Sequence, residues 1–409
     1  MNDTVIACSS GRAFHYPSFR YLFTARFLTV LGNAIAPVAL AFAVLDIGGS
    51  TGELGFVVAA RSVFNIIFLL IGGILADRYS RRVVLFSSSM MAALSQAVVA
   101  WTVLDGSATI VSLAVLGAFN GAAAGIALPA SSAMVPQIVP AHALREANAF
   151  IQLGVYAGTV IGASLGGLLT SAVGPGWGLA IDALGFALSA PLYTLISTRQ
   201  VASAEPNSNI LHDLRDGWRE FISRAWVWII VVQFTLVNAA FSGVMMVIGP
   251  VVADSTFGRA GWGMSLAAQS LGLFVGSFIA LRWRPRRELF VGTLLVALCA
   301  LPIIVLSLVP SALLLMAAFF IAGVGFGQFG VVWAHSLQTH IAPDKLARVY
   351  AWDAMGSFVA IPVGEVAAGP LAMHFGNMNV LLASAAAVLI ATLAASLTPA
   401  IRRLDNTTT

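Results

Sequence analysis

Apolar runs of about twenty residues recur from one end of this chain to the other, and they limit its fold more than any other feature. A helix of ~20 residues crosses the hydrocarbon core of a bilayer. Stretches such as "ALAFAVL", "NIIFLLIGGILA", "TLLVALCALPIIVLSLV" and "VLLASAAAVLIATLAASL" sit in windows of that length. Only 9% of the residues are charged, against roughly a quarter in a soluble domain. Gly and Pro fall inside the runs, which membrane helices tolerate because their neighbours re-satisfy the backbone. The expected fold class is all-α: a polytopic protein embedded in the lipid bilayer.

Splitting the chain at charged or Gly/Pro-rich breaks predicts twelve spans, near 21–45, 53–76, 82–104, 108–135, 146–171, 177–198, 226–253, 262–282, 288–309, 311–338, 347–372 and 378–400. One long polar stretch, "TRQVASAEPNSNILHDLRDGWREFISR", separates the sixth from the seventh. The predicted organisation is a tail (1–20), a six-helix half (21–198), a linker (199–225), a second six-helix half (226–400) and a short tail (401–409).

Basic residues set the expected orientation. Arg12, Arg20, Arg78, Arg81, Arg82, Arg145, the linker arginines, Arg282, Arg284, Arg286, Arg287, Lys345, Arg348, Arg402 and Arg403 fall on one side. The other side has Arg259 among Asp46, Glu53, Asp105 and Asp254. The positive-inside rule then places both termini and the linker in the cytoplasm, with an uncleaved first helix. The net charge of +4 sits in these loops, so it reads as topology and not as a nucleic-acid surface. Cys8 and Cys299 form no disulfide framework or metal pair.

The two halves echo each other. "IVPAHALREANAF" (138–150) enters the fifth span as "IAPDKLARVYAW" (341–352) enters the eleventh, and Gly162 and Gly167 recur as Gly364 and Gly369. Repetition of this kind is typical of transporters with a binding site at the bilayer midplane.

"GGILADRYSRR" (72–82) follows the second span. With it, the chain resembles the major facilitator superfamily over nearly its whole length. It is most similar there to the twelve-helix drug and secondary-metabolite exporters of the macrolide-efflux and enterobactin-exporter type. "SFRYLFTARFLTVLGNAIA", "AARSVFNIIFLLIGGILADR", "VPAHALREANAF" and "AIDALGFALSAPL" carry that narrower likeness. The resemblance implies an alternating-access transporter of the plasma (inner) membrane. It gives Asp77 the role of a latch onto the helix starting near Leu346, with Gly73, Arg78, Arg81 and Arg82 around it; a purely topological charge cluster is the competing reading. "GTVIGASLGG" (158–167) has the spacing of the family's antiporter motif, and Gly158, Gly162, Gly166 and Gly167 suit close helix packing. Two departures stand out: Ala163 replaces the motif's Pro, and Gly117 stands where such exporters often carry Arg. A proton-coupling role built on that Arg does not carry over.

Ionisable groups inside spans are functional candidates by default. Here they are Arg26, Arg61, Asp182, Asp353 and Glu365. Arg61 and Glu365, at similar depth, are expected to form an outer gate, with Asp182 and Asp46 as rival partners that would make Arg61 structural. Asp353 is the first candidate for proton coupling, with Glu365 the second; a second latch contact is the alternative for Asp353. Twelve residues separate the two carboxylates, about 120° of helix rotation, so they should face different ways. Polar stripes suggest a solute cavity: Arg26, Thr29, Asn33 and Pro37; Asn238, Ser242 and Met245; and Gln328, His335 and Gln338 beside Phe326, Phe329 and Trp333. An aromatic, weakly charged cavity suits a small amphipathic solute.

No enzyme signature is present. "GVGFGQFG" (323–330) lies within a span, no phosphate loop occurs, and His335 and His340 have poor metal spacing. The sequence reading is a monomeric exporter without a cofactor, exchanging an amphipathic solute for protons. A lipid or lysolipid flippase and a non-transporting sensor or scaffold are the alternatives.

Overall fold

A computed structural model describes residues 13–197, 210–283 and 285–404, apart from the side chains at some helical positions such as Gly73, Asp77 and Arg145. Twelve membrane-length helices run through it. The first six are α1 (Pro17–Asp46), α2 (Thr51–Arg78), α3 (Arg81–Asp105), α4 (Ile110–Ile138), α5 (Ala141–Ala172) and α6 (Pro175–Thr194). The second six are α7 (Ala225–Ser255), α8 (Gly258–Arg282), α9 (Glu288–Leu308), α10 (Ala312–His340), α11 (Pro343–Phe358 and Ile361–Phe375) and α12 (Asn377–Leu397). Eleven are long and apolar enough to cross a membrane by composition; the twelfth, α6, is 20 residues long, carries Asp182 at its middle and packs against α1 and α3.

Local chemistry sets several boundaries. Ser50 and Glu53 form a capping box at the start of α2, the Ser50 N–H donating to Glu53 Oε2 at 2.7 Å. Thr109 and Ser112 cap α4 in the same way. Gly174 and Gly376, at φ +91° and +83°, turn the chain into α6 and α12 through backbone conformations that a side chain resists.

Three helices of the second half are irregular, and each irregularity has a proline just beyond it. Proline lacks an N–H, and its ring crowds the carbonyl four residues earlier. Pro250 lies four residues after Met246, within a π turn over Val244–Ile248 of α7. Pro302 lies four after Leu298, within a 3-10 turn over Val296–Cys299 of α9. Pro362 lies four after Phe358, where the first piece of α11 ends. The eleventh span is therefore two helices, where the sequence reading has one.

Packing repeats under a shift of six helices. In the first half α1 packs on α5 and α6, α2 on α4, and α3 on α4 and α6. In the second, α7 packs on α11 and α12, α8 on α10, and α9 on α10 and α12. Between halves, α2 meets α11 and α5 meets α8. The tightest crossings lack side chains: a Cβ on Gly121 would collide with the Arg61 carbonyl of α2, and one on Gly276 with the Val324 carbonyl of α10. We call the face bearing the start of α1 and the end of α12 the near face, and the opposite one the far face.

Part of the polar linker is regular. Ile210–Ser223 is a helix, and Leu211, Leu214, Trp218, Phe221 and Ile222 recur at helical spacing. It docks on α11: the Trp218 and Trp352 rings lie 4.7 Å apart, and Lys345 Nζ donates to Glu220 Oε2 at 2.9 Å. Lys345 first, then Arg224, hold the Glu220 carboxyl below its ordinary range. The stabilisation is therefore present above the unfolded carboxyl's range and is lost only as pH falls through the lowered folded value. Glu220→Ala should weaken docking by ~1 kcal/mol, about fivefold faster amide exchange across 217–223 at neutral pH. An unchanged exchange rate would show that the aromatic contacts alone hold the linker helix.

Candidate functional site

Ten residues into α2, ~15 Å from its far-face end, Arg61 reaches toward α1 and α4. Its Nε donates to Asn120 Oδ1 at 3.1 Å and its Nη2 to Asn33 Oδ1 at 3.0 Å. Asp182 on α6 is 0% exposed, and neither carboxyl oxygen has a hydrogen-bond partner. It lies against Gly32, where a Cβ would collide with Oδ1. Glu365 on α11 is 2% exposed; Ser242 donates to its Oε1 at 2.8 Å, and its Oε2 has no partner. Arg61 is in electrostatic range of both carboxyls. One cation thus acts electrostatically on two carboxyls from opposite halves.

The expected Arg61–Glu365 contact is replaced here by bonds to two asparagines. Gly121 explains this: its missing Cβ brings α4 against the Arg61 backbone, and so Asn120 within reach. Asp46, a rival expected for Arg61, instead binds Arg259, whose Nη1 donates to Oδ2 at 3.0 Å. Arg259 also pairs with Asp254 at 2.7 Å and lies 4.9 Å from the Phe42 ring centroid.

That ion pair joins the two halves at the far face, which is also closed along two seams. A Cβ on Gly369 of α11 would lie 2.5 Å from the Gly52 Cα, and one on Gly55 2.5 Å from the Glu365 carbonyl. On the other seam, a Cβ on Gly263 of α8 would lie 2.6 Å from the Gly167 Cα. Gly158, Gly162 and Gly166 pack on α1 instead, beside Val30, Leu31 and Ile35.

The proposed solute residues divide. Arg26 and Asn33 line a mainly apolar cavity of about 240 Å³, to which Thr29, Asn65, Ser88 and Tyr193 add polar groups. Asn238 donates to the Ser357 carbonyl at 2.9 Å, and Gln328 is buried in α10. Met245 is 0% exposed in the core: the π turn starting at Val244 shifts the register and takes it off the Asn238–Ser242 stripe. His335 lies at the near end of α10, 3.2 Å from Glu288 Oε2, and Gln338 is exposed. These last three do not join Arg26 and Asn33.

Asp353 and Glu365 face different neighbours. Trp333 Nε1 of α10 donates to Asp353 Oδ2 at 3.0 Å, whereas Glu365 meets Ser242 of α7. Of the latch residues, Gly73 and the Asp77 side chain lie outside the described residues. Arg78 is exposed, Arg81 is half-buried, and Arg82 donates to the Thr194 carbonyl at the end of α6. Asn120, Asn65 and Tyr193 were not singled out from sequence, because an uncharged polar residue in a span gives little signal until its neighbours are known.

The sequence profile of the Major Facilitator Superfamily matches residues 22–365. The chain belongs to the major facilitator superfamily. This facilitator is 28% identical over 264 residues to the enterobactin exporter EntS of Salmonella typhi, covering 64% of this chain and 63% of that protein. With the enterobactin exporter of Escherichia coli O1:K1 / APEC it shares 27% identity over 264 residues, 64% of this chain and 62% of the relative. The match thus spans just under two thirds of these relatives' length. Among solved structures it resembles a bacterial homologue of the human lysosomal transporter Spinster in an inward-facing, unoccupied conformation (TM-score 0.74, 16% identity, 94% and 96% coverage). The nucleoside transporter NupG is similar (TM-score 0.72, 14% identity, 92% and 98% coverage). The protein is a multi-pass membrane protein of that superfamily.

Proposed function

We propose that this facilitator is a secondary active exporter that moves a small amphipathic solute out of the cell in exchange for protons, as a monomer. The near face, with both termini, the linker and most Arg and Lys residues, is assigned to the cytoplasm. The observation that carries the reading is the Arg61–Asp182–Glu365 cluster, buried where α2 meets α11. Ionisable groups at a seam between moving halves can link proton binding to opening. The likeness to enterobactin exporters supports export, and the cavity beside Arg26, Asn33 and Tyr193 supports a solute with polar groups on a mainly apolar body.

The test is a proton-flux assay in proteoliposomes with an imposed pH gradient, adding a catecholate siderophore, a macrolide or a hydrophobic cation in turn. Solute-dependent proton movement is expected. Its absence with all three, together with protein-dependent lipid scrambling, would favour a flippase.

Two site proposals belong to this reading. Asp77 is assigned the near-face latch, which engages only when that face is closed. Asp77→Asn should weaken that closed state, because an amide accepts helix N–H bonds less well than a carboxylate. Cysteine probes near the cytoplasmic end of α8 should then label faster; unchanged labelling with intact transport would remove the latch. Asp353 is assigned a transported proton. Asp353→Asn keeps an oxygen for Trp333 Nε1 but cannot titrate, so pH-driven export should fall at least tenfold while solute binding persists. Export at the normal rate would leave that role to another carboxylate.

A further inference from the structure

We infer that Asp182 and Glu365 together hold one proton whenever the far face is closed, because both depend on a single cation, Arg61. This goes beyond the export reading: the proton exchanges with the far side alone and is distinct from the transported proton assigned to Asp353.

A charge count at two buried carboxyls leads there. Asp182 is 0% and Glu365 2% exposed, and among the described residues Arg61 is the one cation in electrostatic range of either. An ionised carboxylate buried without donors costs far more than a neutral one. Arg61 can compensate one negative charge, not two. The other carboxyl must be protonated, and the hydrogen bonds show which. Glu365 accepts from Ser242 at 2.8 Å, whereas no donor reaches either oxygen of Asp182. The proton is therefore on Asp182.

Other ionisable groups on the helices packed against α6 are remote from it along their helices. On α1 these are Arg20 and Arg26 toward the near face and Asp46 at the far end, the last bound by Arg259. On α3, Arg81, Arg82 and Asp105 are terminal; on α5, His142, Arg145 and Glu146 fall in the near-face turns and Tyr156 meets Ser277 of α8. Tyr193 lies eleven residues beyond Asp182, beside Arg26.

The cluster also spans the two halves unequally. Arg61, Asn33, Asn120 and Asp182 all belong to the first half, and Glu365 alone to the second. Opening the far face draws Glu365 away into a wetted cleft, while Asp182 stays beside Arg61. The Asp182 O–H bond then has no reason to persist. It breaks, the proton leaves to the water of the opened far-face cleft, and the carboxylate left behind takes the guanidinium. Asp182 and Glu365 thus compete for Arg61, and protonation decides which of them has it. Proton binding at Asp182 favours a closed far face; proton loss favours an open one.

The experiment needs no solute. The full chain, with Cys8 and Cys299 changed to Ser, carries spin labels at Ser107→Cys and Ser311→Cys, in far-face loops of opposite halves. Double electron–electron resonance in nanodiscs then follows the far-face distance from about pH 5 to about pH 9. The wild-type closed-to-open ratio should fall at least tenfold as pH rises. Asp182→Asn, permanently neutral, should stay closed throughout. Glu365→Gln removes the competitor and should also lose the pH dependence, so the proposal survives a folding failure of either variant. An infrared band from a protonated carboxyl should be present in the wild type and absent from Asp182→Asn. A wild type without pH dependence, or an Asp182→Asn profile like the wild type's, overturns the proposal. Solute-driven proton flux without pH-linked closure would refute this switch and leave export standing; closure without flux would do the reverse.

Discussion

Gly263→Leu is expected to hold the far face open. In the closed structure a Cβ at this position would lie 2.5 Å from the Ala163 carbonyl and 2.6 Å from the Gly167 Cα. Both belong to α5, in the other half, and both are backbone atoms that cannot rotate aside. The nearest atoms all belong to the other half, so helix insertion and the α8–α10 crossing should survive. The cost falls on one conformation only. At the ~1–3 kcal/mol typical of overpacking, the closed-to-open ratio should fall roughly 5- to 150-fold. Far-face spin-label distances should lengthen, transport should drop in proportion, and the amount of folded protein in the membrane should stay near normal. Unchanged distances would show that α5 and α8 separate without opening that face.

Gly121→Val should do something different, although the chemistry is similar. Its Cβ would collide with the Arg61 carbonyl and lie 2.9 Å from the carbonyl carbon. Here both helices belong to the same half and stay together in every transport state, so no conformation relieves the clash. At ~3 kcal/mol, the upper end for overpacking, the ratio of assembled to misassembled protein falls by roughly 150-fold. Detergent-extracted protein should elute largely as aggregate, with thermal unfolding shifted down. Gly121→Ala should show the same direction with a smaller loss. If Gly121→Val were stable but inactive, the α2–α4 crossing would have to be softer than its backbone contact implies.

Much of this molecule is legible in its sequence because the bilayer enforces a simple rule: every span must be apolar and about twenty residues long. The helix order, the repeat of two six-helix halves and the family follow from that rule and from "GGILADRYSRR". The missed features depend on a second chain segment. Arg61 reads as a free charge seeking a carboxylate until Gly121 brings Asn120 against it. Met245 reads as a cavity residue until Pro250 and the π turn change the helix register. Asp353 and Glu365 were set apart by counting along one continuous helix, yet Pro362 breaks that helix between them, and their directions come from Trp333 and Ser242. The linker helix was the most readable of the omissions, since its apolar spacing is helical; polarity alone hid it.

The uneven placement of the helix breaks has a mechanical consequence. Pro37, Pro129, Pro136 and Pro191 sit inside helices of the first half that remain continuous. The second half carries the π turn, the 3-10 turn and the break in α11. Under load the two halves are unequal springs: one stiff, one compliant. The stiff half keeps Arg61 and Asp182 at a fixed separation through the cycle, as a lock keeps its tumblers in line. The compliant half carries Glu365 on a short lever, five residues past the joint at Ala360. Bending at that joint moves the one carboxyl that has to move, with little disturbance to the two groups that must not.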